Sequence, residues 1–222
     1  MQVHPTDAQA AAKTPGAAGK TEAWVVLEAN PATCQLYAGF RPGVTAAGFR
    51  DAMVSKTTPA TLHSFLPTPG DCLFLRANTV HAIGRDLLLF EVQQTSDITY
   101  RLYDWDRIDA KTGKGRDLHI DDGLACSDFA AGPCHPVTPV VEGGKERLVS
   151  CEYFTLHRTT TSSPTTVGAK GRCVAAVVVS GNGTLAGEPV VRGDVVLLPA
   201  SVGVVDVVPS GAMTVLECGL PG

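Results

Sequence analysis

Twenty-three glycines and fifteen prolines cut this 222-residue chain into short pieces, and no long helical pattern survives between them. The apolar runs that remain lie at 23–29, 71–77, 86–94, 98–105, 151–158, 173–181, 194–200, 202–208 and 213–219, and they are rich in Val, Leu, Phe and Tyr. Short β-branched and aromatic runs bounded by turn residues read as closely spaced strands, the pattern of a sandwich or barrel. Only 43–56 and 119–129 read as helices. The Ala-rich stretch 9–18 reads as a loop, because Pro15 and Gly16 interrupt it. The fold class this predicts is mostly β, with one or two short helices.

A repeat refines that reading. Gly19–Lys20 precedes one apolar run and Gly171–Arg172 another, and each is followed by a Gly–Asp pair (Gly70–Asp71, Gly193–Asp194) that opens the next run. Gly–Asp is hairpin-turn chemistry, the glycine supplying positive φ. The repeat predicts two β-barrel-like modules, 1–130 and 147–222, joined by a Pro- and Gly-rich linker at 131–146. Aligned on these pairs, His81 matches Val204 and Glu22 matches Val174. Polar residues in one module thus replace valines at equivalent interior positions of the other, which makes the first module the site and the second a scaffold.

Composition narrows the function. With 18 basic and 22 acidic residues the net charge is −4, and no basic run offers a footprint for nucleic acid or an anionic membrane. No apolar stretch reaches the length of a bilayer span, and the N-terminus has no signal-peptide pattern. Seven cysteines, an odd number without a C-x-x-C pair, argue for a reduced, cytoplasmic setting. Phosphate-binding and nucleophile-elbow motifs are missing.

The chemistry concentrates in the first module. Gln2 and His4 are two apart, as are Lys20 and Glu22, so on strands each pair shares a face. His81 lies on the strand after the Gly70–Asp71 turn. Two imidazoles, a carboxylate and an amide oxygen would make a mixed N/O site for a borderline divalent cation, Zn²⁺ first, with Mn²⁺, Fe²⁺ or Ni²⁺ as alternatives. Glu91, Gln93, Asp97, Thr99 and Arg101 share a parity, so one uninterrupted strand would bring two carboxylates and a guanidinium to one face for proton transfer and anion binding. A solvated face with ordinary ion pairs has the same pattern. His119, His135 and His157 have no ligand-spaced neighbours, and His63 reads as part of the loop before the Gly70–Asp71 hairpin.

These motifs, "QVHP" (2–5), "GKTEAW" (19–24), "PGD…NTVHAIG" (69–84), "EVQQTSDITYRLYDWDR" (91–107) and "GKGRDLHI" (113–120), resemble type I phosphomannose isomerases in their short bacterial form. The resemblance is strong from residue 2 to about 120 and thinner beyond. It implies a cupin (jelly-roll) fold and one zinc ion. It also implies a small sugar-phosphate substrate, mannose 6-phosphate, interconverted with fructose 6-phosphate through a cis-enediol. Carried over by motif, the metal ligands fall on Gln2, His4, Glu22 and His81, and the active-site arginine on Arg101. The acidic residues near the sugar fall on Glu91 and Asp97, and the lysine two before the glutamate ligand on Lys20. The family carries further chain ahead of its QVHP strand, including a serine near the phosphate, so the resemblance implies a protein lacking its N-terminal part. The expectation is a fraying Gln2, open sheet edges and weakened activity. A catalytically silent cupin, binding metal or phosphosugar as a sensor or assembly module, is the alternative, and an Fe²⁺ oxygenase a third.

Overall fold

The computed structural model describes residues 1–221 and divides the chain into two compact units, 1–136 and 137–222. Both are built from antiparallel strands, as the Gly- and Pro-punctuated sequence requires.

Unit 1 holds β1 (Gln2–Val3), α1 (Asp7–Lys13), β2 (Glu22–Ala29), β3 (Leu36–Phe40), α2 (Ala46–Val54), a 3₁₀ turn at Thr58–Thr61, β4 (Leu62–Phe65), β5 (Cys72–Leu75), β6 (His81–Ile83), β7 (Leu87–Gln93), β8 (Tyr100–Arg101) and α3 (Ile120–Cys126). A five-stranded sheet runs β4-β3-β6-β1-β8 and a three-stranded one β5-β2-β7. Apolar residues fill the space within: Val3, Phe40, Phe49, Leu62 and Leu102 form one core cluster, and Trp24, Val26, Leu36, Leu73 and Leu75 another.

Unit 2 holds β9 (Val140–Glu142), β10 (Lys145–Ser150), β11 (Thr155–Thr161), β12 (Thr165–Gly168), β13 (Val174–Ser180), β14 (Asn182–Leu185), β15 (Glu188–Val191), β16 (Val195–Leu198), β17 (Val204–Pro209) and β18 (Met213–Gly219). Its sheets run β16-β13-β18-β11-β10-β9 and β12-β17-β14-β15, around Val167, Ala176, Val178, Leu185, Val207, Met213 and Val215.

The repeat is written into the hydrogen bonds. Asp71 N–H bonds Thr68 C=O while its side chain accepts the Thr68 N–H at 2.8 Å, and Asp194 does the same with Val191 at 2.8 Å. Gly70 and Gly193 take φ of 96° and 99°, the third position of a type II turn, which a side chain would strain. Glu22 pairs with Leu75 as Val174 pairs with Leu198. The outer partners break register at one equivalent place, Val26/Glu28 against β7 and Val178/Ser180 against β18. A shared turn, register and bulge make the two frames copies of one supersecondary unit.

Three local expectations change. Residues 7–13 form a helix, because Thr6 and Gln9 make a capping box and the Pro15–Gly16 pair falls beyond its end. The run at 98–105 gives only the two-residue β8, since Trp105 and Asp106 take positive φ and turn the chain. His63 sits on β4 and not in a loop. At the chain's start, β1 lies between β6 and β8, and Met1 C=O accepts the Leu102 N–H at 2.9 Å.

Candidate metal centre

The two sheets of unit 1 meet at a polar cluster. Across the five-stranded sheet Ala38, His81, Gln2 and Arg101 stand opposite one another in a row, so their side chains share a face. His4 follows directly after β1, held by the Asn78 N–H on its carbonyl at 2.8 Å. Glu22 comes from the other sheet, at the start of β2. His4, Glu22 and His81 are all buried, and one donor atom from each lies within 4.8 Å of the others.

The protons in this cluster are fixed by its surroundings. His4 Nδ1 lies 2.8 Å from Ile98 C=O, and His81 Nδ1 lies 2.8 Å from Thr79 C=O. A carbonyl only accepts, so each Nδ1 carries the proton and each Nε2 turns a lone pair inward. These backbone carbonyls hold the rings as they are held in metal sites. Burial pushes the His4 imidazole below its ordinary value, against the pull of Glu22. Gln2 Nε2 lies 3.4 Å from His4 Nε2 and 3.2 Å from His81 Nε2. Turning that amide over brings its oxygen to the same point, so Gln2 can offer either group to the cluster.

Glu22 has no exposed surface, and neither of its oxygens makes a hydrogen bond. Its contacts are electrostatic only: Oε1 is 3.1 Å from His81 Nε2, and Oε2 is 3.4 Å from His4 Nε2 and 3.0 Å from Lys20 Nζ. Burial acts to raise its pKa, and positive charge on the His81 and His4 side is what pulls it below the carboxylate range. Burying a carboxylate costs several kcal/mol, and here one ammonium at 3.0 Å offsets part of that while two lone pairs face the same group. This donor set fits a divalent cation and little else: two imidazole nitrogens, one carboxylate and one amide.

Beside the cluster, Lys20 Nζ reaches Glu91 Oε1 at 3.5 Å, and the Trp24 indole N–H donates to Glu91 Oε2 at 3.1 Å. Burial and the Glu22 charge push the Glu91 carboxyl above its ordinary value, against Lys20 and Trp24. Arg101 presents its guanidinium on the Gln2 row with no hydrogen bond or ion pair of its own, while His119 pins its backbone, accepting the Arg101 N–H at 3.2 Å. Asp97 is exposed on the loop between β7 and β8, and the structure does not bring it into the cluster. The shared-parity argument for residues 91–101 therefore fails: β7 ends at Gln93, and Arg101 belongs to the other sheet. Glu91 and Arg101 still flank the cluster, because the two sheets face each other there.

Sequence reasoning missed Trp24, whose link to Glu91 spans 67 residues, and the carbonyls of Ile98 and Thr79, which carry no side-chain signal. His119 was set aside for lack of ligand spacing, and its role is to hold β8.

The chain matches no family model. It is 32% identical over 213 residues to mannose-6-phosphate isomerase ManA of Bacillus subtilis, an alignment covering 91% of this chain and 66% of that protein. It is 32% identical over 168 residues to the mannose-6-phosphate isomerase of Streptococcus mutans, covering 71% and 49%. The chain thus spans about half to two thirds of the length of these curated relatives. The crystal structure of the Bacillus subtilis mannose 6-phosphate isomerase superposes with a TM-score of 0.85 at 25% identity, covering 98% of this chain and 70% of that one. A mannose 6-phosphate isomerase bound with zinc and yttrium shares the fold, with a TM-score of 0.72 at 16% identity. A cupin fold shared along nearly its whole length, and identity of about a third with ManA, place this chain in the mannose-6-phosphate isomerase family.

Proposed function

We propose that the chain is a zinc-dependent aldose–ketose isomerase that interconverts mannose 6-phosphate and fructose 6-phosphate. The observation that carries the reading is the buried Glu22 carboxylate, without a hydrogen bond, facing the lone pairs of His4 and His81 beside the Lys20–Glu91 pair. Gln2, His4, Glu22 and His81 would hold the ion. Their mixed nitrogen and oxygen set suits zinc, and zinc is bound in the related isomerase structure. When bound, the ion supplies positive charge to offset the oxyanion that builds up during isomerisation.

The chain's own residues do the rest. Glu91 moves a proton between C2 of the aldose and C1 of the ketose, since its raised pKa lets it both take and return one. Lys20 and the Trp24 indole hold that carboxyl in place. Arg101 has a permanent charge and forked donors, and among the described residues its guanidinium makes no hydrogen bond or ion pair, so it holds the phosphate or the reacting oxygens. Asp97, exposed on the loop that carries Ile98 to His4, orients sugar hydroxyls or a partner. The setting we infer is cytoplasmic, in keeping with the free cysteines, and no helix among the described residues is long and apolar enough to cross a membrane.

The test is mannose 6-phosphate isomerisation by the purified 222-residue chain, with zinc measured on the same sample before and after chelation. Activity lost to the chelator and restored by zinc supports the reading. A folded chain that keeps zinc but turns nothing over overturns it in favour of a silent cupin.

A further inference from the structure

Unit 2 keeps a polar cavity where unit 1 has its cluster. Glu217 pairs with Ala176 in the β13–β18 ladder as Glu91 pairs with Trp24 in the β2–β7 ladder. His157 stands opposite Glu217 on β11, so the two side chains share a face with Ala176, a residue of the unit's core. They line a cavity of about 210 Å³ together with Lys145, Arg172 and Val174.

Charge separates this cavity from the metal centre. Both oxygens of the buried Glu217 carboxylate are engaged: Lys145 Nζ donates to Oε1 at 2.6 Å and the Gly168 N–H to Oε2 at 2.7 Å. In unit 1 the carboxylate pairs with Lys20 on one oxygen but faces two inward lone pairs, whereas in unit 2 both carboxylate oxygens are closed by donors. A metal ion here would meet two fixed cations. The groups left over can donate: Lys145 has used one of three N–H bonds on Glu217, and among the described residues neither the Arg172 guanidinium nor the His157 ring has a hydrogen-bond partner. Burial pushes the His157 imidazole below its ordinary value, with Glu217 pulling it up and Lys145 pushing it down. Two cations against one carboxylate leave a net charge of about +1, which a monoanion neutralises and a phosphate dianion overshoots beside Glu217. The hydroxyl of Thr159, buried and without a partner, lies on the same strand face two residues from His157.

We propose that the unit 2 cavity binds a small organic carboxylate. Lys145 and Arg172 take its carboxylate oxygens, His157 takes a hydroxyl or carbonyl oxygen, and Thr155, Val174 and Leu220 cover its apolar part. This site is separate from the metal centre and stands whether or not the chain is an isomerase.

Calorimetric titration of the full chain, dialysed free of metal, with lactate and separately with inorganic phosphate tests it. Saturable lactate binding is expected, weakened at least about tenfold by the exposed substitution Arg172→Ala, the loss of one charge-assisted contact, and weakened also by His157→Gln. Glu22→Gln in the other unit leaves it unchanged. The proposal falls if lactate binding does not saturate, if Arg172→Ala binds lactate as the parent does, if Glu22→Gln removes the binding, or if phosphate binds more tightly than lactate.

Discussion

The β2, β5 and β7 strands of unit 1 and the β13, β16 and β18 strands of unit 2 share a turn, a register and a bulge, yet one places Glu22 where the other places Val174. The backbone alone therefore does not make a metal centre. In unit 1 the carboxylate is met by His4 and His81, whose inward lone pairs are fixed by the carbonyls of Ile98 and Thr79. In unit 2 the equivalent of Glu22 is a core valine, and the nearby carboxylate, Glu217, is already closed by Lys145. A few side chains thus separate a carboxylate that, even beside Lys20, meets two inward lone pairs from one whose oxygens are both closed by donors.

Substitutions that exchange these residues test the comparison directly. Glu22→Val puts the unit 2 residue into unit 1. Metal content and isomerase turnover should collapse, with metal affinity reduced at least about tenfold even if His4 and His81 still bind weakly. The metal-free chain should lose stability, because the nearly buried Lys20 gives up its 3.0 Å partner and keeps only the longer contact to Glu91. Metal analysis and denaturant unfolding of one preparation check both. Retained metal would remove Glu22 from the ligand set.

The reverse exchange, Val174→Glu, buries a second carboxylate beside Glu217 in a cavity that holds one imidazole, His157, and not a facing pair. It should destabilise the chain by about 3–5 kcal/mol and add no metal. Unfolding at neutral pH reads this, and a gain of bound zinc would show that the frame itself, and not its ligands, makes the site. Arg101→Ala probes the substrate side: turnover should fall by about 10²–10³-fold with metal content unchanged, since Arg101 lies beside Gln2 in the row without bonding any ligand. Turnover close to that of the parent would leave the guanidinium without its proposed role.

The sequence made much of this frame readable, for identifiable reasons. Gly–Asp turns and β-branched runs are local signals, so the repeat, eight of the nine expected strand segments and the His4, Glu22 and His81 positions could be read without coordinates. What could not be read depends on contacts distant in sequence. The neighbours that hold Glu91 and His4 come from loops and strands scores of residues away, and the Thr79 carbonyl that holds His81, though only two residues off, carries no side-chain signal. The parity argument that linked Glu91 to Arg101 assumed one strand where the chain changes sheets. His157 was passed over because its carboxylate neighbour, Glu217, is 60 residues on and becomes adjacent only through the β11–β18 ladder.

Val204 shows where the repeat stops being a guide. Alignment on the Gly–Asp pairs matches it to His81 and predicts an interior valine whose loss opens a core cavity. In the structure it is 54% exposed at the first residue of β17, while His81 is buried. β6 pairs with β3 and β1, but β17 pairs with β12 and β14, so the strands after the shared frame enter different sheets and the correspondence ends there. Val204→Ala should accordingly change stability by no more than about 0.5 kcal/mol, as exposed substitutions do. Val207, three residues on and fully buried against the unit's core, should lose about 1–3 kcal/mol on the same change. Denaturant midpoints of the two variants measured side by side decide the matter. If Val204→Ala were the more damaging, the His81–Val204 match would extend into the core, and the copies would be alike beyond the turn, the register and the bulge that they share.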